Sequence, residues 1–190
     1  MREVYRDRWL VVIDKPSGLP SQAGRDGRPG VYERLLETEP YVGLHHRLDT
    51  PASGLLLLSL HRKANAALAE GFREHQIARN YRVWVLGDPG EEGAWEAPLD
   101  GRRALTRWAR LRGGRTSELR VSLETGRTHQ IRRHATEAGH PVLGDRRHGG
   151  AAGSLWGRLA LHASELALEH PVTGEELRLL ASLPDDLAEL

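Results

Sequence analysis

Short apolar runs and alternating apolar and polar positions dominate the hydrophobic pattern of this chain, and they predict more strands than helices. Residues 53–60 form a continuous apolar run that is too short for a typical helix, so we expect a buried strand there. Residues 105–111 and 117–124 flank Gly113-Gly114, which is typical of a hairpin. Further strand signals lie at residues 9–14, 81–85, 159–168 and 175–180.

Helical spacing is confined to a few segments. Residues 61–75 place Ala64, Ala67, Leu68 and Phe72 on one face and predict an amphipathic helix. Residues 31–38 and 128–138 show similar spacing, and 184–190 predicts a closing helical turn. Hairpin-connected strands with few helices predict an α+β domain on a mainly antiparallel sheet. No nucleotide-binding signature of the GxGxxG or GxxxxGK[ST] kind occurs, which argues against a doubly wound α/β fold.

Length and composition narrow the function classes. The 190 residues correspond to one domain, and the absence of cysteine excludes thiolate catalysis, disulfides and cysteine-based zinc sites. No apolar run approaches the ~20 residues of a membrane helix. The N-terminus lacks the apolar core of a secretory signal, so we expect a cytoplasmic protein with no membrane association.

The formal net charge of +1 conceals an uneven distribution. Residues 101–150 hold twelve arginines against four acids, a surplus of +8, whereas residues 151–190 carry −5 and residues 1–100 carry −2. A basic middle segment in a nearly neutral chain indicates a localised anionic partner, with nucleic acid as the first candidate. A solvated arginine-rich surface is the alternative that charge alone leaves open.

Three clusters of residues have the composition of chemical sites. Residues 45–54 place Asp49 on a loop before the predicted buried strand, a common position for a catalytic carboxylate. Residues 125–134 begin with a glycine turn and fill the start of a helix with hydrogen-bond donors, an arrangement that favours anions. Tyr81 follows Arg79-Asn80 at the start of a strand. Taken singly, each cluster also fits a purely structural role.

Taken together and in order, these clusters resemble a known family. The sequence HRLD…SG at 46–54, the Arg79–Tyr81 motif, TGRTHQIR at 125–132 and GHPVLGD at 139–145 are similar to the RluA-type family of RNA pseudouridine synthases. The early DKPSGLP at 14–20 and the later HPVTGE at 170–175 also resemble it. Two departures are Ala52, where the family usually has Thr, and Arg79, where it usually has Lys.

The resemblance implies a fold and a reaction. The expected fold is the pseudouridine synthase fold, a mainly antiparallel mixed β-sheet with flanking helices, in one catalytic domain over residues 1–190 without an N-terminal S4-like domain. The expected reaction isomerises specific uridines of rRNA or tRNA to pseudouridine after base flipping, with no redox cofactor, nucleotide or metal. RNA is the expected partner, and we expect a monomer.

The resemblance also implies site residues. Asp49 matches the catalytic aspartate, which adds to the sugar or the base or abstracts a sugar proton. Tyr81 matches the tyrosine that stacks on the target base, and Arg132 matches the arginine that pairs with the catalytic aspartate. The expected RNA or substrate contacts are Arg47, beside the flipped nucleotide, and Arg127, His129, Gln130 and Ile131. Further arginines are candidates for salt-sensitive contacts with the RNA backbone: Arg102, Arg103, Arg107, Arg110, Arg112 and Arg115.

Two other functions remain open at the level of the sequence. A metal hydrolase is one, because the ten histidines supply candidate ligands at 45, 46, 129 and 134 beside Asp49. The i, i+5 spacing of the last two histidines does not suit ligands on one helix face, and no HxxxH-type zinc motif occurs. A non-catalytic RNA-binding or folding factor on the same fold is the other, and the intact Asp49, Tyr81 and Arg132 set argues against it.

Overall fold

A computed structural model describes residues 1–24 and 26–190. The chain forms two compact units, the first from Met1–Ala78 and Ala163–Ser182 and the second from Arg79–His162 and Leu183–Leu190. The single catalytic domain over 1–190 stays a prediction. In chain order the elements are β1 (Arg2–Arg6), β2 (Leu10–Lys15), α1 (Val31–Leu36), β3 (Gly43–Leu44), β4 (Ser53–Ser59), α2 (Arg62–Arg73), β5 (Ala78–Leu86), β6 (Glu92–Trp95), β7 (Thr106–Arg112), β8 (Thr116–Leu123), α3 (Gln130–Glu137), a 3-10 turn (Gly150–Ser154), β9 (Leu161–Glu169), β10 (Glu176–Leu180) and α4 (Asp185–Ala188).

The first unit is a sheet with helix α2 packed on it. Strand β2 lies between β1 and β4, strand β9 pairs with both β4 and β10, and the short β3 pairs with β4. Every residue of β4 is buried, which confirms the buried strand predicted at 53–60. The apolar face of α2 supplies Ala64 and Leu68 to a core that contains Leu10 and Leu57. This burial drives the two elements together.

Gly54 is required where β4 begins. Its φ of +108° lies in a region that L side chains rarely adopt, and a Cβ at this position would lie 2.2 Å from the carbonyl oxygen of Ala163. Only glycine fits both the backbone conformation and the close approach of the β9 segment.

The second unit contains an antiparallel sheet in the order β5-β8-β7-β6. The predicted hairpin is confirmed, with Thr106 opposite Leu123 and Arg110 opposite Leu119. A core cluster of Trp84, Leu143, Ala160 and Leu187 lies in this unit. The α+β class is confirmed. The strands pair antiparallel in β1–β2, β2–β4, β3–β4, β9–β10, β5–β8, β7–β8 and β6–β7.

Besides the two-residue β3, two strands lack the patterns from which strands were predicted. Strand β1 consists mostly of exposed and half-buried residues because it is an edge strand on β2. Strand β6 has little apolar character, and its Gly93 lies against the indole of Trp108 on β7, where a Cβ would be 2.7 Å from the ring. In both cases the partner strand, rather than the local sequence, provides the pairing. No helix in the described ranges has the length and apolar character needed to cross a membrane.

Candidate functional site

Asp49 lies half-buried on the loop that leads into β4, in the first unit. The residue before it, Leu48, is buried and clamped at two points by Ser21, whose hydroxyl donates to the Leu48 carbonyl at 2.9 Å and accepts from the Leu48 N–H at 3.0 Å. On the other side, the N–H of Ala52 donates to the Asp49 carbonyl at 3.0 Å and closes a turn. The backbone that carries the carboxylate is therefore fixed on both sides.

Lys15 holds the same loop through hydrogen bonds to backbone carbonyls. This side chain is fully buried, and its ammonium donates to the carbonyls of Leu19 at 2.8 Å, Ala52 at 2.5 Å, Pro16 at 3.2 Å and Thr50 at 3.3 Å. A buried ammonium requires such acceptors because it loses its hydration. Lys15 thus ties the turn after Asp49 to the DKPSGLP segment, a role that the sequence analysis did not identify although it singled out that motif.

Arg47 is exposed, and the two histidines before it hold the loop against neighbouring elements. The Nε2 of His46 accepts from the Leu57 N–H at 2.9 Å, and its ring stacks on Phe72 with centroids 4.8 Å apart. The Nε2 of His45 lies 3.1 Å from the Ser59 hydroxyl. These contacts give His45 and His46 structural roles and leave the Arg47 side chain at the surface.

The other predicted site residues belong to the second unit. Tyr81 lies on β5, is buried and pairs in register with Val121 of β8. Arg132 and Ile131 are buried in the first turn of α3. The structure thus brings most of the predicted residues to the start of one helix, with Tyr81 on a strand of the same unit.

Arg132 is held by a partner that the sequence analysis did not assign to the site. Its Nε donates to Oδ2 of Asp145 at 2.8 Å and its Nη2 donates to Oδ1 at 2.7 Å, a side-on bidentate pair between two buried groups. Burial alone raises the pKa of Asp145, but the hydrogen bonds from Arg132 and from the His148 and Arg147 amides outweigh it, and the pKa of Asp145 lies below its usual value. Asp145 therefore stays ionised and fixes the guanidinium plane. The resembling GHPVLGD motif was the available signal for it.

Gln130 is buried, and its amide is occupied by protein partners. Its Oε1 accepts from the Thr125 hydroxyl at 2.7 Å and the Arg127 N–H at 3.0 Å, while its Nε2 donates to the Leu105 carbonyl and the Thr106 hydroxyl, each at 3.0 Å. These four bonds use the hydrogen-bonding capacity of an amide. The geometry gives Gln130 a structural role, and the RNA contact that the resemblance implied for it stays a prediction.

His129 and Arg127 precede α3 and are only half-buried. His129 has a left-handed backbone conformation with φ of +54°, and its Nδ1 lies 2.8 Å from Nε2 of His148. Burial, followed by nearby arginines including Arg132, lowers the pKa of His148, which favours its neutral form. The Nε of Arg127 donates to the Arg103 carbonyl at 3.1 Å. A positive φ is costly for a non-glycine residue and is characteristic of functional sites.

The arginine-rich middle segment is partly neutralised by its own unit. Arg107 pairs with Glu124, Arg110 with Asp88 and Glu91, and Arg112 with Glu118. The surplus of +8 in residues 101–150 therefore overstates the free positive charge on these strands, because Asp88 and Glu91 lie outside that range and are not counted in it. Arg102, Arg103 and Arg115 remain the candidates of this set for RNA contact.

The described residues contain no group of three or more histidine, cysteine, aspartate or glutamate side chains arranged to hold a metal ion. One histidine considered as a ligand, His134, is buried and uses both ring nitrogens within its unit. Its Nδ1 lies 2.9 Å from the Thr106 hydroxyl and its Nε2 lies 2.8 Å from the Ala97 carbonyl. The carbonyl requires Nε2 to be the protonated nitrogen, so Nδ1 accepts from Thr106.

Comparisons with known proteins identify the family. The model of the RNA pseudouridylate synthase family matches residues 9–137. The dual-specificity RNA pseudouridine synthase RluA of Haemophilus ducreyi is 35% identical, with coverage of 92% of this chain and 90% of the relative. The ribosomal large subunit pseudouridine synthase D of Nitrosomonas europaea is 33% identical across this whole chain, which spans 64% of that relative's length.

Solved structures agree on the fold. The structure of human RNA pseudouridylate synthase domain containing 4 matches with a TM-score of 0.76 and 25% identity over 98% of this chain and 90% of that one. The predicted pseudouridine synthase fold is confirmed. The family match covers the Asp49, Tyr81 and Arg132 positions. The chain therefore belongs to the RluA-type family of RNA pseudouridine synthases and is an isomerase of that class.

Proposed function

We propose that this enzyme isomerises specific uridines of rRNA or tRNA to pseudouridine with Asp49 as the catalytic carboxylate. The observation that carries the proposal is the fixation of the Asp49 loop by buried Lys15 and Ser21. A carboxylate on a rigid loop is preorganised for its reaction. A protein that only binds RNA does not need a carboxylate held on so rigid a loop.

The reaction is an internal rearrangement of one nucleotide. The bond between C1′ and N1 breaks, the uracil turns, a bond forms between C1′ and C5, and the proton of C5 is lost while N1 gains one. We propose that Tyr81 stacks on the base and that Arg132 pairs with Asp49 in the RNA complex, as the resemblance implies. Asp145 binds the Nε and Nη2 side of the guanidinium and fixes its plane.

The target uridine must leave the RNA stack before these groups reach it. Extrusion of a base costs a few kcal/mol, and an inserted side chain offsets part of this cost. We propose that the exposed Arg47 takes the place of the flipped base. Arg127 and His129, half-buried at the start of α3, are proposed to contact the adjacent phosphates, and Ile131 to pack beneath the pocket. We also propose that the enzyme is a monomer, which sedimentation of the purified protein would test. We propose the cytoplasm as its location.

Tritium release tests the proposal. Transcripts of large-subunit rRNA and a pool of tRNA, labelled with tritium at C5 of uridine, are incubated with the wild-type enzyme and with Asp49→Asn. We expect release from at least one RNA, its loss in Asp49→Asn, and RNA affinity within about twofold of wild type, because the variant removes a charge and keeps the shape. Undiminished release by Asp49→Asn would refute the catalytic role. Binding without release by the wild type would favour the non-catalytic factor.

A further inference from the structure

Three cations lie against two aromatic rings in the first unit, and none of these five residues belongs to the predicted site. The Arg8 guanidinium carbon is 4.1 Å from the centroid of the Trp9 ring, and Nζ of Lys63 is 5.4 Å from the same ring. The Arg62 guanidinium carbon is 5.2 Å from the centroid of the Tyr41 ring. We call Arg8, Trp9, Tyr41, Arg62 and Lys63 the Trp9 patch. The three cations are exposed and the two rings are half-buried.

The positive charge of this patch is not neutralised by the protein. Within residues 1–24 and 26–190, no carboxylate forms an ion pair with Arg8, Arg62 or Lys63. The neighbouring carboxylate, that of Asp7, is occupied by the Trp9 and Leu10 amides, the Tyr5 hydroxyl and the ring of His170. Several arginines of the middle segment, by contrast, are paired with acids. The aromatic faces hold the cations in place without cancelling their charge.

The position of Arg62 and Lys63 is unfavourable for the fold. They are the first two residues of α2, whose first turn contains no acidic residue. Cations at a helix N-terminus oppose the helix dipole, so this arrangement costs stability. Departures from such local rules are expected where function requires them. The sequence thus keeps two cations where folding alone would favour acids.

We propose that the Trp9 patch binds the phosphate backbone of the substrate RNA at a segment distant from the target uridine; this inference rests on the proposed function. The Asp49 loop precedes β4, whereas Arg62 and Lys63 follow it and the Trp9 carbonyl accepts from the Leu60 N–H just beyond its end. The loop and the patch therefore lie at opposite ends of a seven-residue strand. At about 3.3 Å per residue, β4 separates them by roughly 20 Å, about the width of an RNA helix. None of the large apolar side chains that the protein exposes belongs to the patch, which argues against a lipid surface.

The test compares two ends of one helix. The double variant Arg62→Gln/Lys63→Gln removes two patch cations. The control, Arg73→Gln, removes a cation in the last turn of α2 that is paired with Glu70 and Glu74. Affinity for full-length substrate RNA and for a short stem-loop around the target is measured by filter binding at several salt concentrations. For the double variant we expect roughly tenfold weaker binding of long RNA and a salt slope shallower by about 1.4–1.8. The stem-loop, which ends before the patch, should bind both variants alike.

Stability and turnover complete the test. We expect the double variant to melt no lower than wild type, because two unfavourable helix charges are gone, and its KM for long RNA to rise while kcat falls less than twofold. Equal affinity and salt slope in the double variant and Arg73→Gln would overturn the proposal. So would patch-dependent binding of poly-glutamate or phosphatidylglycerol vesicles without an RNA effect. Because the binding measurements need no turnover, they stand even if tritium release fails.

Discussion

At the scale of single residues, the Asp145–Arg132 pair couples stability to the candidate site. Asp145→Asn leaves a buried guanidinium without its anion, and we expect a loss of about 3–5 kcal/mol in the free energy of unfolding. We also expect kcat to fall far more than RNA affinity, since Arg132 loses the partner that fixes its plane. Urea titration and tritium release measure the two effects. Asp100→Asn, which breaks the exposed pair with Arg133, is the matched control and should leave both near wild type.

Lys15 provides a second prediction at this scale. Lys15→Met fits the buried space but leaves the carbonyls of Leu19 and Ala52 without their donor, and we expect a loss of at least about 2–3 kcal/mol in the free energy of unfolding. In the folded fraction, kcat should fall because the turn after Asp49 is released. Ser21→Ala loosens the other side of the loop and should give a smaller defect of the same kind. A stable Lys15→Met enzyme with full kcat would contradict the anchoring role.

The sequence predicted those residues of the candidate site whose role is carried by a contiguous motif. Asp49, Arg132 and Tyr81 were assigned by the ordered motifs, whereas the roles of Lys15 and Asp145 were not. Lys15 donates hydrogen bonds to the carbonyls of Thr50 and Ala52, which are 35 and 37 residues away in the sequence. Asp145 pairs with Arg132, which is 13 residues away. Local patterns contain no information about such tertiary partners, and only the folded structure supplies them.

At the scale of elements, the start of α3 is fixed by Gln130. Gln130→Ala removes all four hydrogen bonds of the amide and leaves the Thr125 hydroxyl without its acceptor, and we expect about 2–4 kcal/mol of destabilisation in thermal or urea unfolding. Gln130→Glu keeps the acceptor but places a buried carboxylate oxygen against the Leu105 carbonyl, so it should be destabilised at least as much as Gln130→Ala. If Gln130 instead contacts RNA, Gln130→Ala will keep its stability and lose RNA affinity.

The helices and the central strands followed from the sequence because their burial leaves a periodic signature. Strand β4 is apolar throughout since both of its faces are buried, and α2 shows its core face at helical spacing. The edge strand β1 lacks this signature because little of it is buried. The N-terminus of α3 differs for another reason. The helix was predicted from residue 128 and begins at Gln130, because His129 takes a left-handed conformation that local propensity disfavours.

At the scale of the whole molecule, the distribution of charge differs from the count along the chain. The basic surplus of residues 101–150 is reduced where acids such as Glu91 and Asp88 approach from outside that window. Unneutralised cations gather instead in the Trp9 patch, in a region whose summed charge is slightly negative. The summed charge of a segment is therefore a poor guide to where unpaired positive charge lies, since ion pairing depends on tertiary contacts.

The stability of the protein in acid depends on carboxylates with lowered pKa values, which occur in each of the two units. Burial opposes ionisation of Asp7 and Glu33 in the first unit, but backbone N–H groups outweigh it and lower the pKa of each. In the second unit Arg158 lowers the pKa of Asp186, and Arg132 with two amides lowers that of Asp145. A carboxyl whose folded pKa is depressed stabilises the protein above its unfolded pKa of about 4, and the contribution is lost as the pH falls through the folded value.

The pH dependence should consequently have two steps. Below about pH 6.5, stability begins to fall because burial lowers the pKa of His45, and burial with nearby arginines lowers that of His148. Protonation of both rings is therefore easier in the unfolded chain. Below about pH 4 the carboxylates add a steeper loss. Urea midpoints measured from pH 8 to pH 3 should show both regions. His148→Gln should reduce the first step and leave the part that belongs to His45, and Asp145→Asn should flatten the second. A midpoint that stays constant between pH 7 and pH 5 in the wild type would contradict the histidine contribution, because ionisation of the carboxylates is complete in that range.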